Sequence, residues 1–268
     1  MCTGGFTFAP DINNAEILLN ELQESIDDAK ILLQWTTSID FPDDAQDFTC
    51  VAMHHPDEYP MNEGRIVSSQ GLDIAISDYQ QHFTETHVPH STALHSHFNG
   101  KPYLVGPLAR VNLNYTQLPA EIRQVIEDGN IQFPSNNMFH SIVARAAEIY
   151  FAMLEAIKIL KQYKVPQQSC YAPTPRAGIG FGCTEAPRGI LWHRYELDNI
   201  GKVVKSTIIP PTSQNQARIE EDLHISLENF GLDHDDDALR LRGETVIRNY
   251  DPCISCATHF LKVNVNRS

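Results

Sequence analysis

The stretch from about Asn137 to Tyr163 sets the strongest limit on how this chain can fold. Ile142, Ala146, Ile149, Tyr150, Met153, Ile157 and Leu160 recur at steps of three and four, the period of an α-helix. The apolar arc is wide, which predicts a helix buried among other helices rather than one with a single dry stripe. A second long helix is predicted ahead of it. Ile17, Leu18, Leu22, Ile26, Ala29, Leu32 and Leu33 keep the same period up to about Trp35. Asn13-Asn14 stands at its start as a candidate cap, and Phe41-Pro42-Asp43-Asp44 breaks it.

Elsewhere the pattern shortens. Arg65 to Ser69, His82 to Thr86 and Val111 to Asn114 read as short strands with glycine and proline between them, giving a β-rich segment over about 64–115. Leu118-Pro119-Ala120-Glu121 opens a short helix that ends near Gly129. Residues 166–187 are rich in proline, glycine and cysteine and read as loop. Gly189 to Leu197 and Lys202 to Ile209 form a predicted hairpin across Asp198-Asn199-Ile200-Gly201. Pro210-Pro211-Thr212-Ser213 then leads into a helix with Ser213 as candidate cap and Ile219, Leu223 and Leu227 as its apolar stripe. The acidic run Asp233 to Asp237 reads as a solvated loop and the start of a last helix over Ala238 to Asn249. It lacks the spacing, glycine and closing glutamate of a calcium loop. The expected fold class is mainly α with a smaller β-rich part (α+β), without internal repeats.

Charge narrows the function. Twenty basic against 34 acidic side chains give a net charge of -14, which would repel nucleic-acid phosphates and an anionic membrane surface. With 42% hydrophobic residues the chain can build a packed core. No apolar run reaches the roughly 18–20 residues of a membrane span. Met1-Cys2-Thr3-Gly4-Gly5-Phe6 does not read as a signal peptide, so a cytoplasmic setting is expected. The cysteines are Cys2, Cys50, Cys170, Cys183, Cys253 and Cys256, too sparse and irregular for a secreted disulfide scaffold.

Only Cys253 and Cys256 stand three apart. Thiolates at that spacing converge on one side of a turn and can share one ion. Pro252 stiffens the approach. A soft thiolate pair suits nickel, zinc, copper(I) or iron, and a redox pair is an equally ordinary use of the spacing. His259, three beyond Cys256, fits a metal ligand or plain packing. The other cysteines read as small buried residues. His193, beside Trp192 and Tyr195, reads as a core or hydrogen-bonding histidine. His87, His90, His95 and His97 are irregularly spaced and read as surface or interface histidines.

The segment Asp251-Pro252-Cys253-Ile254-Ser255-Cys256-Ala257-Thr258-His259 resembles the C-terminal Asp-Pro-Cys-x-x-Cys-x-x-His signature of nickel–iron hydrogenase large subunits. Three further blocks resemble that family in the same order: Gly106-Pro107-Leu108-Ala109-Arg110 with Asn112, Glu185-Ala186-Pro187-Arg188-Gly189 with His193, and Pro210-Pro211-Thr212-Ser213-Gln214-Asn215. The first and last of these three are most similar to the soluble, cytoplasmic, NAD(P)-linked and sulfhydrogenase-like group. The resemblance implies the large-subunit fold, with 1–268 as its C-terminal portion.

It also implies roles. Cys253 would be a terminal nickel ligand able to take a proton, and Cys256 would bridge nickel and iron. The iron would carry carbon monoxide and cyanide. Arg188 would stand over the centre, with Pro187 and Thr212 walling the cyanide pocket. His259 would help hold magnesium, or iron, near the C-terminus. Arg110 is read as structural. Implied partners are an iron–sulfur small subunit, NAD(P)-linked electron-transfer subunits, nickel-insertion proteins and a maturation protease that removes the tail 260–268 in many members. The family's first thiolate pair, in Arg-x-Cys-Gly-x-Cys, has no counterpart in this sequence. Reversible dihydrogen cleavage is therefore expected only with that pair supplied, the chain by itself being inactive. The rival expectations are a non-catalytic scaffold related to the large subunits of complex I and a small Cys-x-x-Cys metal-binding protein.

Overall fold

The computed structural model describes residues 5–253. Its first helix, α1 (Ile12–Thr37), starts at Asp11, whose carboxylate accepts from the Asn14 amide at 2.9 Å. The cap is thus Asp11 rather than Asn13-Asn14: the carboxylate precedes the first turn and can reach its orphan N–H. Three antiparallel strands follow, β1 (Val51–His54), β2 (Arg65–Ser68) and β3 (Asp73–Ile74), in the order β1-β2-β3. A single helical turn, α2 (Tyr79–His82), leads into the hairpin β4 (Phe83–Thr86) and β5 (His95–Phe98).

Next come α3 (Pro107–Asn114), α4 (Ala120–Asp128) and α5 (Ser141–Gln162). The strand expected at Val111 to Asn114 is instead the end of α3. A four-residue run cannot separate period two from helical period. Pro107 at the first helical position settles it, and Leu108, Ala109, Val111 and Asn114 are all buried as a helix. A third sheet holds β6 (Gly178–Ala186), β7 (Gly189–Leu197) and β8 (Val203–Ile209), antiparallel with β7 central. The hairpin expected over 189–209 is present, and Asp198 Oδ1 accepts from the amides of Ile200 and Lys202 in its turn. The second half of the expected loop 166–187 is strand β6. Gly178, Gly180 and Gly182 alternate with Ile179, Phe181 and Cys183, and the glycines masked a period-two pattern.

Two helices finish the described chain, α6 (Pro211–Phe230) and α7 (Asp236–Asn249). Ser213 is not the cap of α6. The helix begins at Pro211, and the Ser213 hydroxyl donates back to the Pro210 carbonyl at 3.0 Å. Asp235 caps α7 and Asp236 and Asp237 fill its first turn, the role expected of the acidic run.

The helices α1, α4 and α5 pack around Ala29, Leu33, Ile122, Ile126, Val143, Ala144, Ala147 and Phe151. The alanines on α5 let α1 approach closely, and Val143, Ala144, Ala146, Ala147, Tyr150, Phe151 and Ile157 are buried as the wide arc predicts, while Ile149, Ala152 and Ile159 face outward. A second core joins the sheets. Tyr79 stacks between Phe83, at 4.3 Å, and Trp192, at 5.1 Å, and the Trp192 indole donates to the Ile76 carbonyl. A third cluster, with Phe48, Leu104, Leu108, Ile219 and Tyr250, ties α3, α6 and the end of α7 together. That cluster fixes where the chain leaves α7 for Cys253.

Candidate active site

Three of the sequence blocks and the described start of the fourth, Asp251 to Cys253, meet in space. Val105 and Gly106 run against the turn between β6 and β7. An added Cβ at Gly106 would lie 2.8 Å from the Arg188 carbonyl oxygen, and one at Gly189 would lie 2.5 Å from Val105 Cγ2. Both glycines take positive φ, +110° and +131°, so close approach and backbone conformation each demand glycine here. Asn215 then clamps the same segment from α6. Its Oδ1 accepts from the Val105 amide at 2.9 Å, and its Nδ2 donates to the Val105 carbonyl at 3.0 Å. Gln214 donates to the Ile190 carbonyl at 2.6 Å and accepts from the Tyr103 hydroxyl at 3.2 Å.

Arg110 is the hub beneath this turn. Its guanidinium makes a forked pair with Glu148 at 2.6 and 2.7 Å and reaches Glu185 Oε2 at 2.8 Å. It also donates to the carbonyls of Ala186, at 2.7 Å, and Pro187, at 3.2 Å. All three charged side chains are buried. Burial would by itself push the guanidinium pKa down, but Glu148 and Glu185 overcome this and leave it raised well above its usual value, firmly charged. Burial pushes the Glu185 carboxyl up, opposed by Arg110 and by the Met53 amide, which donates to Glu185 Oε1 at 2.7 Å. Glu148 also accepts from the Tyr59 hydroxyl at 2.7 Å. Arg110 thus has the structural role expected of it, and what it structures is the turn carrying Pro187 and Arg188.

The approach to Cys253 closes on the other side of this turn. Asp251 takes φ +47°, which aspartate tolerates better than most residues. Arg188 Nε donates to the Asp251 carbonyl and lies 3.2 Å from Asp251 Oδ2. From α5, Ser141 and Arg145 donate to the Asn249 carbonyl at 2.8 and 3.2 Å. Burial lowers the Arg145 pKa; Asp251 and Glu148 oppose this, while Arg110 and Arg188 add to it. Arg145 therefore sits among the charges of the junction. Arg145 Nε and Asn249 Nδ2 are buried without a hydrogen-bond partner. Such orphaned donors ask for an acceptor beside the segment that leads to Cys253.

Arg188 and Cys253 are thus brought to one junction, with Cys253 half-buried two residues beyond the Arg188 contact. Pro187 is held there through its carbonyl. Thr212 is buried in the first turn of α6, two residues before Gln214. Cys256 and His259 lie outside the described residues. Cys183 is buried, and burial raises its thiol well above the usual range. The Cys50 thiol is pushed up to about 11 by burial. His193 stands on β7 with its Nδ1 3.2 Å from the Tyr195 hydroxyl. Arg145 and Glu148 were not anticipated as members of the junction. Their signal was an arginine and a glutamate three residues apart in the apolar first half of α5, where charges rarely go unpaired.

A nickel–iron centre can be tested against these donors. Cys253 offers a soft ligand, and Cys256 follows at the spacing for a shared ion. The arginines and orphaned N–H groups offer positive charge and donors suited to anionic ligands. The donor set fits such a centre in part: two thiolates, where the resemblance implies four.

Comparison with known proteins shows the family and the fold. The family model for nickel-dependent hydrogenases matches residues 77–259. The chain is 31% identical over 264 residues to the alpha subunit of sulfhydrogenase 1 of Pyrococcus furiosus, covering 97% of this chain and 61% of that subunit. It is 33% identical over 166 residues to the beta subunit of the NAD-reducing hydrogenase HoxS of Cupriavidus necator, covering 59% and 34%. The solved structure of an NAD+-reducing nickel–iron hydrogenase in the H2-reduced state has the same fold, with a TM-score of 0.78 at 21% identity over 96% of this chain and 62% of that one. The chain belongs to the nickel-dependent hydrogenase family. It spans about three fifths, 61%, of the length of the sulfhydrogenase subunit it matches.

Proposed function

We propose that this chain forms the C-terminal portion, 1–268, of the catalytic large subunit of a nickel–iron hydrogenase that cleaves dihydrogen reversibly. The observation that carries the reading is the convergence of three sequence-distant blocks on the approach to Cys253, joined by Arg110, Gly106, Gly189, Asn215 and Arg188.

Cys253 and Cys256 would supply half of the thiolate set, and a second Cys-x-x-Cys from further polypeptide would supply the rest. When bound, the centre provides a Lewis acid that polarises dihydrogen, which is apolar and only weakly acidic. The residues of this chain do the remainder. Cys253 is the base that takes the proton on its sulfur. Arg188 spends Nε on Asp251, leaving its Nη1 and Nη2 donors for a cyanide nitrogen or for substrate. Pro187, fixed through Arg110, and Thr212 wall the cyanide pocket and keep water out. His259 would hold magnesium or iron near the C-terminus. Electrons would leave through an iron–sulfur small subunit to an NAD(P)-linked module in the cytoplasm. Nickel-insertion proteins and a protease acting after His259 would complete maturation. Among the described residues no helix is long and apolar enough to cross a membrane.

The test is to co-express this chain with a fragment carrying Arg-x-Cys-Gly-x-Cys and the maturation proteins, then measure metals and dihydrogen uptake. One nickel and at least one iron per complex are expected, with the nickel and one iron lost in Cys253→Ser. One zinc per chain without iron would reject the hydrogenase reading in favour of a small thiolate site.

A further inference from the structure

The hairpin β4–β5 and helix α6 meet at a corner away from the junction. Three donors of metal-ligand type gather there: His90 in the hairpin loop, His95 at the start of β5, and Glu220 on α6. Their donor atoms lie within 4.8 Å of one another. The helical period puts Glu220 seven residues after Ser213, on the same face of α6. Ser213 faces the hairpin too, its hydroxyl oxygen lying 3.3 Å from Glu85 Oε1. Packing of the hairpin against α6 therefore brings the three donors to one corner.

Glu220 Oε1 is 3.0 Å from His90 Nε2 and 3.4 Å from His95 Nε2. Ligand-to-ligand edges of about 3.3–3.5 Å follow from tetrahedral coordination with bonds of about 2.0–2.1 Å. His95 carries the more telling observation. Its side chain is 95% buried, the exposed share being 5%, yet its Nε2 makes no hydrogen bond among the described residues, with Glu220 Oε1 3.4 Å away. A buried imidazole nitrogen aimed at a second imidazole and a carboxylate, and left unsatisfied, calls for something between them. His90 and Glu220 are exposed, which leaves an open side for water as a further ligand.

We propose that His90, His95 and Glu220 form a binding site for a first-row divalent cation of the zinc type, separate from the thiolate centre, which clamps the β4–β5 loop onto α6. Two imidazoles and one carboxylate suit zinc, cobalt(II) or nickel(II) better than magnesium or calcium, which prefer all-oxygen sets. Of the surface or interface placement expected for these histidines, the surface one does not hold for His95, which is buried. Its partner comes from α6, 130 residues from His90, which spacing within the histidine run could not reveal.

The test uses the full 268-residue chain bearing Cys253→Ser and Cys256→Ser, so that the thiolate pair cannot contribute. After chelator treatment it is titrated with cobalt(II). One equivalent should bind, giving tetrahedral visible bands without a sulfur charge-transfer band. His90→Gln and Glu220→Gln change exposed side chains and should leave the thermal melt of the metal-free protein unchanged. Loss of an outer-shell partner alone weakens metal binding about 10–100-fold, so each ligand substitution should weaken cobalt binding by about 100-fold or more. Absence of binding, or binding that His90→Gln and Glu220→Gln leave within a factor of about three, would overturn the proposal. The thiolate reading survives either result, because the cysteines are absent from this experiment.

Discussion

The hairpin of β6 and β7 has two ends in opposite environments. At the near end, Glu185 to Gly189 are gripped by Arg110, by the Met53 amide and by the close approach of Val105 and Gly106. At the far end, Ile179 is 53% exposed and Val204, on the neighbouring strand, 58% exposed. The backbone ladder continues through both ends. What differs is what the side chains meet. Rigidity is concentrated where Pro187 and Arg188 must be placed, as a site that depends on fixed donors requires. The far end gains little from burial and contributes little to fixing the site.

The sharpest way to break this contrast is to unpair the hub. Arg110→Met removes the cation and leaves Glu148 and Glu185 as buried carboxylates without a countercharge. Breaking one member of such a pair costs about 3–5 kcal/mol. A loss of unfolding free energy of that size is expected, read as a lower urea midpoint, and an unchanged midpoint would show that the near end is not held by charge.

Arg188→Lys tests position without stability. Lysine keeps the charge but loses the planar fork, and Arg188 is partly exposed. In the assembled enzyme the dihydrogen uptake rate should fall about 100–1,000-fold, the loss typical of removing one preorganised donor. The urea midpoint should stay put. Equal losses in rate and stability would make Arg188 a structural residue.

Gly106→Ala probes the grip of backbone on backbone. The new Cβ would meet the Arg188 carbonyl at 2.8 Å in a φ of +110°, and strain of this kind costs about 1–3 kcal/mol. Alanine at Gly180 on the far end, where nothing lies within 4 Å of an added Cβ, should be neutral by comparison.

How much of this could be read in advance followed from distance along the chain. Helices α1 and α5 were legible because their periodicity runs over many turns and α5 is apolar over a wide arc. Helix α3 was not, because Val111 to Asn114 is too short to show a period, and β6 was hidden by its three alternating glycines. The blocks around Arg110, Arg188 and Asn215 were legible as motifs, through resemblance to a family. Their meeting was not, since Arg110 and Glu185 are 75 residues apart and Val105 and Asn215 are 110 apart. Arg145 and Glu148 went unnoticed for a related reason: a charged residue on a buried helix looks like an outward-facing one until its partner is placed.

The smallest expected effect lies at the far end and bears most directly on the contrast. Ile179→Thr keeps β-branching and removes apolar surface that is already half in water. Exposed substitutions away from caps and buried polar groups stay within about 0.5 kcal/mol, so the midpoint should hardly move. Amide exchange supplies the positive half of the test. The amides of β6 and β7 in the Glu185–Ile190 region should be protected close to the global limit, and those near Gly178–Leu197 should exchange by local opening well before it. The reason is that both sets pair across the same two strands, but only the first would expose a buried ion network on opening. Uniform protection along the hairpin would mean that the sheet opens as one unit, and the near end would then owe its fixed geometry to the ladder rather than to Arg110.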